Sequence, residues 1–258
     1  MPKLAANLTM LFGEYPFLER FDRAAAAGFK GVEFLFPYEE TVESVHDAIT
    51  RNNLELVLFN LPAGDWAAGD RGIASSEERA EEFRLGIFKA VQYGSVLRPN
   101  LINCLAGKVP DAAAARSILV DNLITAAEQV QGFGTLLTLE PVNIHDAPGF
   151  AVPTTQDGWD VIAATKHDNI GLQFDTYHSF KMGEDPLAII RDQGSKLAHI
   201  QVADLPDRHQ PGTGTVDWEE LFRTIDESGY EGWVSLEYVP EGPTESGFDL
   251  IRKLGLLG

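Results

Sequence analysis

Cysteine is almost missing from this sequence: 258 residues contain only Cys104. A single thiol excludes an internal disulfide and fits a reducing compartment. Positive charge is the second shortage, with 20 Lys and Arg against 39 Asp and Glu and a formal net charge of −19. A chain this acidic is repelled by nucleic acid phosphates and anionic membrane surfaces, so neither is an expected partner. Long apolar runs are absent too. Nothing approaches the roughly 20 residues that span a bilayer, and the opening MPKLAANLTMLFGEY has no uninterrupted apolar stretch of the secretory kind. The expected location is therefore cytoplasmic. No Ser/Pro linker or low-complexity tract divides the chain. No zinc-type Cys/His spacing occurs, and no G-x-G-x-x-G follows the first strand-like run, where Asn7-Leu8-Thr9-Met10 stands instead.

What is present is a regular alternation. Strand-like runs at 4–8, 31–36, 54–60, 100–104, 135–140, 170–175, 197–202 and 233–238 alternate with helical patterns near 15–27, 41–52, 76–95, 111–131, 154–166, 185–194, 217–228 and 244–254. Ser75 with Glu78, and Asp217 with Glu220, have capping-box spacing. Trp218, Leu221, Phe222 and Ile225 form an i, i+3, i+4, i+7 apolar stripe. Gly28, Gly132 and Gly229 fall where helices should stop. Eight β–α alternations in a chain of this length predict an α/β fold, one (β/α)8 barrel domain over residues 1–258, with a doubly wound open sheet as the alternative.

A barrel of this kind carries its chemistry at the C-terminal ends of its strands. Asn7, Glu33, Asn60 and Asn103 stand there in the first half, and Glu140, Asp175, Gln201 and Glu237 in the second. The last four are separated by 35, 26 and 36 residues, one βα unit each, so all four should face one axis. A lone strand-end acid is usually a helix cap or a loop ion pair, but four successive oxygen-bearing ends are harder to explain that way. Three carboxylates and an amide suit Mg²⁺ or Mn²⁺ better than Zn²⁺. If no ion is bound, their mutual repulsion raises pKa values and serves acid–base chemistry instead.

Around these ends lie His178, three residues past Asp175, and Asp146, in the loop VNIHDAPGF after Glu140. His145 in the same loop reads equally well as a surface histidine. Arg208 and His209 follow Gln201 in LPDRHQPGTG. Arg208 has a planar fork suited to a substrate carboxylate, or it pairs with Asp204 or Asp207. The segment LPAGDWAAGDRG reads as a lid over the barrel mouth, with Arg71 a second anion contact and Trp66 either sealing the site or packing. His46, His167 and His199 read as structural or surface residues.

The blocks LFNLPAGDWAAGDRGIA, LEPVN, DTYH and HIQVADLPDRHQPGTG, with LEY near the end, resemble the hydroxypyruvate isomerase family. That family lies in the xylose isomerase-like barrel superfamily, which also holds sugar epimerases and an AP endonuclease. The resemblance covers essentially the whole chain. It implies interconversion of hydroxypyruvate and 2-hydroxy-3-oxopropanoate, with Glu140 and Glu237 as the paired acid–base residues. It also implies Asp175 and Gln201 completing a metal site with those two, and His178 beside the substrate. Asn60, Asp146, Arg71 and Arg208 are the further substrate-binding candidates. Gln201 stands where the related epimerases carry a histidine ligand, and Asp146 where they use a glutamate. A close relative of the family acts on 2-oxo-tetronate. Three functions are therefore in play: an isomerase, an AP endonuclease, and a non-catalytic sugar-acid binder. The endonuclease requires a histidine-rich zinc site and a basic face that this composition does not offer. The binder needs no pair of ionisable glutamates. A homo-oligomer is compatible with the sequence.

Overall fold

The computed structural model describes residues 2–257. Its eight parallel strands close in chain order into a barrel: β1 (Lys3–Asn7), β2 (Gly31–Glu33), β3 (Glu55–Asn60), β4 (Leu101–Cys104), β5 (Leu136–Leu139), β6 (Ile170–Asp175), β7 (His199–Val202) and β8 (Trp233–Leu236), with β8 pairing back onto β1. Helices α1 (Phe17–Ala27), α2 (Val42–Arg51), α3 (Ala80–Leu97), α4 (Ala112–Gln131) and α5 (Thr155–Thr165) connect the first six strands. Between β6 and β7 lie α6 (Thr176–Lys181) and α7 (Pro186–Gln193). Next comes α8 (Trp218–Glu227), and α9 (Asp249–Lys253) follows β8. Among the described residues, no helix is long and apolar enough to cross a membrane.

Local chemistry explains most of these boundaries. Asp217 accepts from the Glu220 amide and starts α8, whose Trp218, Leu221, Phe222 and Ile225 are all buried, as their spacing predicts. Gly28 ends α1 with φ of 108°, a left-handed cap that a side chain would strain. The pairing expected between Ser75 and Glu78 does not form. The Ser75 hydroxyl is buried without a hydrogen-bond partner, and a 3₁₀ turn at Glu77–Arg79 precedes the α-helix. The helix expected at 244–254 is likewise split, into a 3₁₀ turn at Thr244–Phe248 and α9. Helix α6 has no counterpart in the periodicity. Asp175 creates it by accepting the Tyr177 amide at 2.8 Å as soon as β6 ends.

Several strands stop short of their apolar runs. β2 ends at Glu33, not Phe36, and β8 at Leu236, not Tyr238. β5 ends at Leu139, so Glu140 and Glu237 each sit one residue beyond the last residue of a strand. The period-2 alternation of a strand places Leu101 with Asn103, Leu136 with Thr138 and Glu140, and His199 with Gln201 on the same inner face. An apolar cluster of Ala5, Val57, Leu58 and Leu101 fills the inside, with polar residues closer to the strand ends. The larger core lies between the strands and the helical layer, where Phe17, Phe21 and Phe34 meet edge to face at 5.3–5.8 Å.

Candidate active site

A belt of hydrogen bonds runs from Asn7 to Glu140 along the floor of the barrel mouth. Glu33, with no exposed surface, accepts from Asn7 Nδ2 at 2.9 Å and Gln201 Nε2 at 2.8 Å, and its second oxygen lies 2.7 Å from His199 Nε2. Gln173 Nε2 donates to Gln201 Oε1 at 2.7 Å, and Thr138 Oγ1 donates to Gln173 Oε1 at 3.1 Å. Asn103, within 3.4 Å of Thr138, donates its Nδ2 to Glu140 Oε2 at 2.9 Å. Burial opposes the charged form of Glu33. The attraction of His199 and the three donors outweigh it and hold this carboxyl below its ordinary range.

Above the belt Asp175 and Glu237 share one guanidinium, and Glu140 acts on it from farther away. Arg208 Nη2 donates to Asp175 Oδ2 at 3.0 Å and lies 3.5 Å from Glu237 Oε1. Glu237 Oε2 is buried and has no hydrogen-bond partner. Burial, reinforced by the neighbouring Asp175 and partly offset by Arg208 and Asn103, pushes the Glu140 carboxyl up to about 8. Glu237 is pushed well above its ordinary range, again first by burial and then by Glu140 and Asp175, against Arg208. Asp175 is raised by burial, with Arg208 opposing. Burial favours the neutral form of Arg208, but the three carboxyls around it win and keep it cationic. Arg208 reaches inward because its own backbone turns at φ of 62°, with its N–H on the Asp204 carbonyl and its carbonyl taking the Val239 N–H. Asp204 does not pair with it. That carboxylate instead collects the Leu205, Gly212 and Val216 amides and Trp218 Nε1, holding the loop, while Asp207 is exposed.

His178 stands on the other side. Its Nε2 lies 3.8 Å from Glu140 Oε1 and 3.6 Å from Asp175 Oδ2, and the three side chains bring ligand-type atoms within 4.8 Å of one another. Burial, with Arg208 nearby, holds the imidazole well below its ordinary pKa and therefore neutral. Its Nδ1 lies 2.7 Å from Asn143 Nδ2. Asn143 also donates to Asp146 Oδ2 at 3.0 Å, where the Tyr177 hydroxyl donates at 2.8 Å. These two donors overcome burial and lower the Asp146 pKa.

These groups surround one cavity of about 660 Å³, mouth included. Glu140, Glu237, His178, Gln201, Arg208 and Asp146 line it, and Asn60, Arg71 and Trp66 form part of its wall. Asp175 sits behind this surface and reaches it through Arg208 and His178. Arg71 stacks on the Trp66 ring at 4.0 Å, and Trp66 packs edge to face on Phe36 at 5.2 Å. The nine site residues read from the sequence are thus gathered in one region. Gln201 differs in having both amide atoms committed, to Gln173 and Glu33. Arg208 takes neither Asp204 nor Asp207, the loop partners left open by the sequence, and pairs with Asp175 and Glu237 instead. His199 is a buried partner of Glu33, His145 is exposed, and His209 bonds the Val239 carbonyl. Asn143, Gln173 and Thr138 were not singled out by the sequence. Their inward parity on β5 and β6 would have found the last two, and the Asn-x-x-Asp spacing of a side-chain turn hints at the first.

The profile of the xylose isomerase-like TIM barrel family matches residues 21–254. The hydroxypyruvate isomerase of Escherichia coli (strain K12) is 44% identical over 250 residues, covering 96% of this chain and 97% of that protein. A 2-oxo-tetronate isomerase of Cupriavidus necator is 37% identical, covering 98% of both. Among solved structures, a Brucella melitensis protein described as an AP endonuclease of family 2 superimposes with a TM-score of 0.94 at 37% identity, covering 98% of this chain and 99% of that one.

Proposed function

The chain belongs to the xylose isomerase-like TIM barrel family, and on that premise we propose that it is an aldose–ketose isomerase interconverting hydroxypyruvate and 2-hydroxy-3-oxopropanoate. The observation that carries this reading is the pair Glu140 and Glu237, two buried carboxyls with raised pKa values on one small cavity. The reaction takes a proton from C3 of hydroxypyruvate, passes through an enediolate and returns a proton to C2, while a second proton passes from the C3 hydroxyl to the C2 oxygen. Like-charge repulsion favours one ionised and one protonated member of the pair, which is one base and one acid. His178 faces the oxygen on which charge develops, where a positioned donor lowers the barrier most. Arg208 and Arg71 take the substrate carboxylate, with Asn60 and Asp146 orienting the hydroxyl groups.

The donor set fits a hard divalent cation, Mg²⁺ or Mn²⁺. Asp175 and Glu237 share one guanidinium, Glu140 acts on it from farther away, and Glu237 Oε2 is unpaired. Glu140, Asp175 and Glu237 would hold it, and Gln201 would support them from behind, since its amide oxygen already accepts from Gln173. When bound, such an ion supplies a Lewis acid for the developing oxyanion. A net charge of −19 speaks against DNA as substrate. So does the finding that Glu140, Asp175 and His178 are the sole cluster of three or more metal-capable side chains among the described residues. The four-carbon 2-oxo-tetronate is the second reading, supported by the Cupriavidus necator relative. The test is turnover of each acid by the purified protein in D₂O, followed by NMR with and without Mg²⁺. Deuterium entry with aldehyde formation, faster for hydroxypyruvate, is the expected result. Absence of both signals with either acid would overturn the isomerase reading, and nicking of abasic DNA would replace it.

A further inference from the structure

Asn143 uses all of its hydrogen-bonding capacity, and that fixes which way its amide points. Its Oδ1 accepts from two backbone amides, His145 N at 3.0 Å and Asp146 N at 2.9 Å. Backbone N–H groups can only donate, so the atom facing them must be the oxygen. The other end faces the Asp146 carboxylate at 3.0 Å, itself anchored by Tyr177, and must be the NH₂ group. Reversing the amide would set an NH₂ against two N–H donors and an oxygen against a carboxylate. The remaining Nδ2 proton points at His178 Nδ1, 2.7 Å away. That ring nitrogen must therefore offer a lone pair, and the neutral ring carries its single proton on Nε2.

We propose that Asn143 is a positioning residue that locks His178 as the Nε2–H tautomer, making Nε2 a hydrogen-bond donor into the cavity and removing it from any metal ligand set. The lock follows from the loop after β5: Asn143 turns the backbone with its oxygen and sets the imidazole with its nitrogen. Nε2 lies 3.8 Å from Glu140 Oε1 and 3.6 Å from Asp175 Oδ2, on a side chain that lines the cavity. For Nε2 to ligate a cation its proton would have to move to Nδ1, and two donors would then face each other across 2.7 Å. A cation in this site therefore rests on the carboxyls alone. The catalytic consequence depends on the isomerase reading; the tautomer does not.

The experiment is long-range ¹H–¹⁵N NMR on the full chain labelled at histidine, with His178 assigned by its loss in His178→Gln. The wild type should show a protonated Nε2 and an unprotonated Nδ1, unchanged when Mg²⁺ is saturating. In Asn143→Asp a carboxylate oxygen replaces the NH₂, so the proton should appear on Nδ1. kcat should fall about 10–100-fold, by analogy with the loss of a partner that orients a metal-bound histidine, with KM moving less. A proton on Nδ1 in the wild type, or loss of the Nε2 proton on adding Mg²⁺, would overturn the proposal. So would a folded Asn143→Asp variant that keeps the wild-type tautomer. If that variant does not fold, the wild-type spectrum decides alone. An intact tautomer with no turnover would instead count against the isomerase reading.

Discussion

Glu33 and Glu140 are two glutamates inside the same barrel, 0% and 6% exposed, yet their carboxyls are driven in opposite directions. Glu33 lies in the belt, where an imidazole and two amides donate to its two oxygens. Glu140 lies in the mouth, where one amide donates and a second acid stands close by. Burial disfavours ionisation of both. Paired donors reverse that penalty in the belt, and like charge reinforces it in the mouth. The belt pairs both oxygens of its carboxylate, whereas the mouth holds charge it cannot neutralise by itself. That surplus is what a proton, a cation or a substrate can relieve.

The largest effect should come from neutralising the mouth. Glu140→Gln and Glu237→Gln should each lower kcat by about 10²–10⁴, the range for loss of general acid–base catalysis. Both variants should keep their thermal transition, because an amide relieves repulsion between buried acids. Steady-state kinetics with Mg²⁺ saturating checks this. A variant that retains near wild-type kcat is not part of the proton transfer.

The belt should respond the other way, in stability more than in turnover. His199→Leu removes one half of a fully buried pair and leaves Glu33 with amide donors alone. Breaking such a pair costs about 3–5 kcal/mol, readable by urea denaturation. At a temperature where the variant is still folded, kcat should stay within a few-fold of wild type. A drop as large as that of Glu140→Gln would show that belt and mouth act as one unit.

The sequence makes the contrast only half visible. Alternation predicts eight strands, and one-unit spacing predicts that Glu140, Asp175, Gln201 and Glu237 converge, because both follow from local periodicity and barrel closure. Which of these residues is satisfied depends on partners far away in the chain. Glu33 and His199 are separated by 166 residues, and only ring closure brings β2 and β7 across from each other. Gln201 has the same inward parity as a ligand would, and nothing local reveals that Gln173 and Glu33 have taken both its amide atoms. Arg208 likewise sits beside Asp204 and Asp207 in sequence but pairs with Asp175 and Glu237, because its left-handed backbone turns the side chain inward. Helix α6 is one capped turn and a half, too short for a 3.6-residue period to register.

The sharpest test of the contrast is the pH dependence of stability in protein stripped of divalent ions. Unfolded Glu140 loses its proton near the ordinary value of 4.5, whereas the folded protein keeps it up to about 8. Between those values the native state binds more protons than the unfolded state, so stability must fall as pH rises. The slope is about 1.4 kcal/mol per pH unit for one such carboxyl, and Glu237 and Asp175 act in the same direction. Glu33 acts in the opposite sense. Its folded pKa is lowered, so its contribution is present above the unfolded value and disappears as pH falls through the folded one. The metal-free protein should therefore be most stable near pH 5 and lose stability on both sides. Urea midpoints from pH 4 to pH 8 would trace that dome. Saturating Mg²⁺ should flatten the alkaline side, because the ion then compensates the carboxylates in place of protons. Glu140→Gln should make that side shallower, and Glu33→Gln should leave it unchanged while altering the acid side. A metal-free curve that stays level or rises between pH 5 and pH 8 would mean the mouth carboxyls are already ionised in the folded state, and the difference between Glu33 and Glu140 would vanish with it.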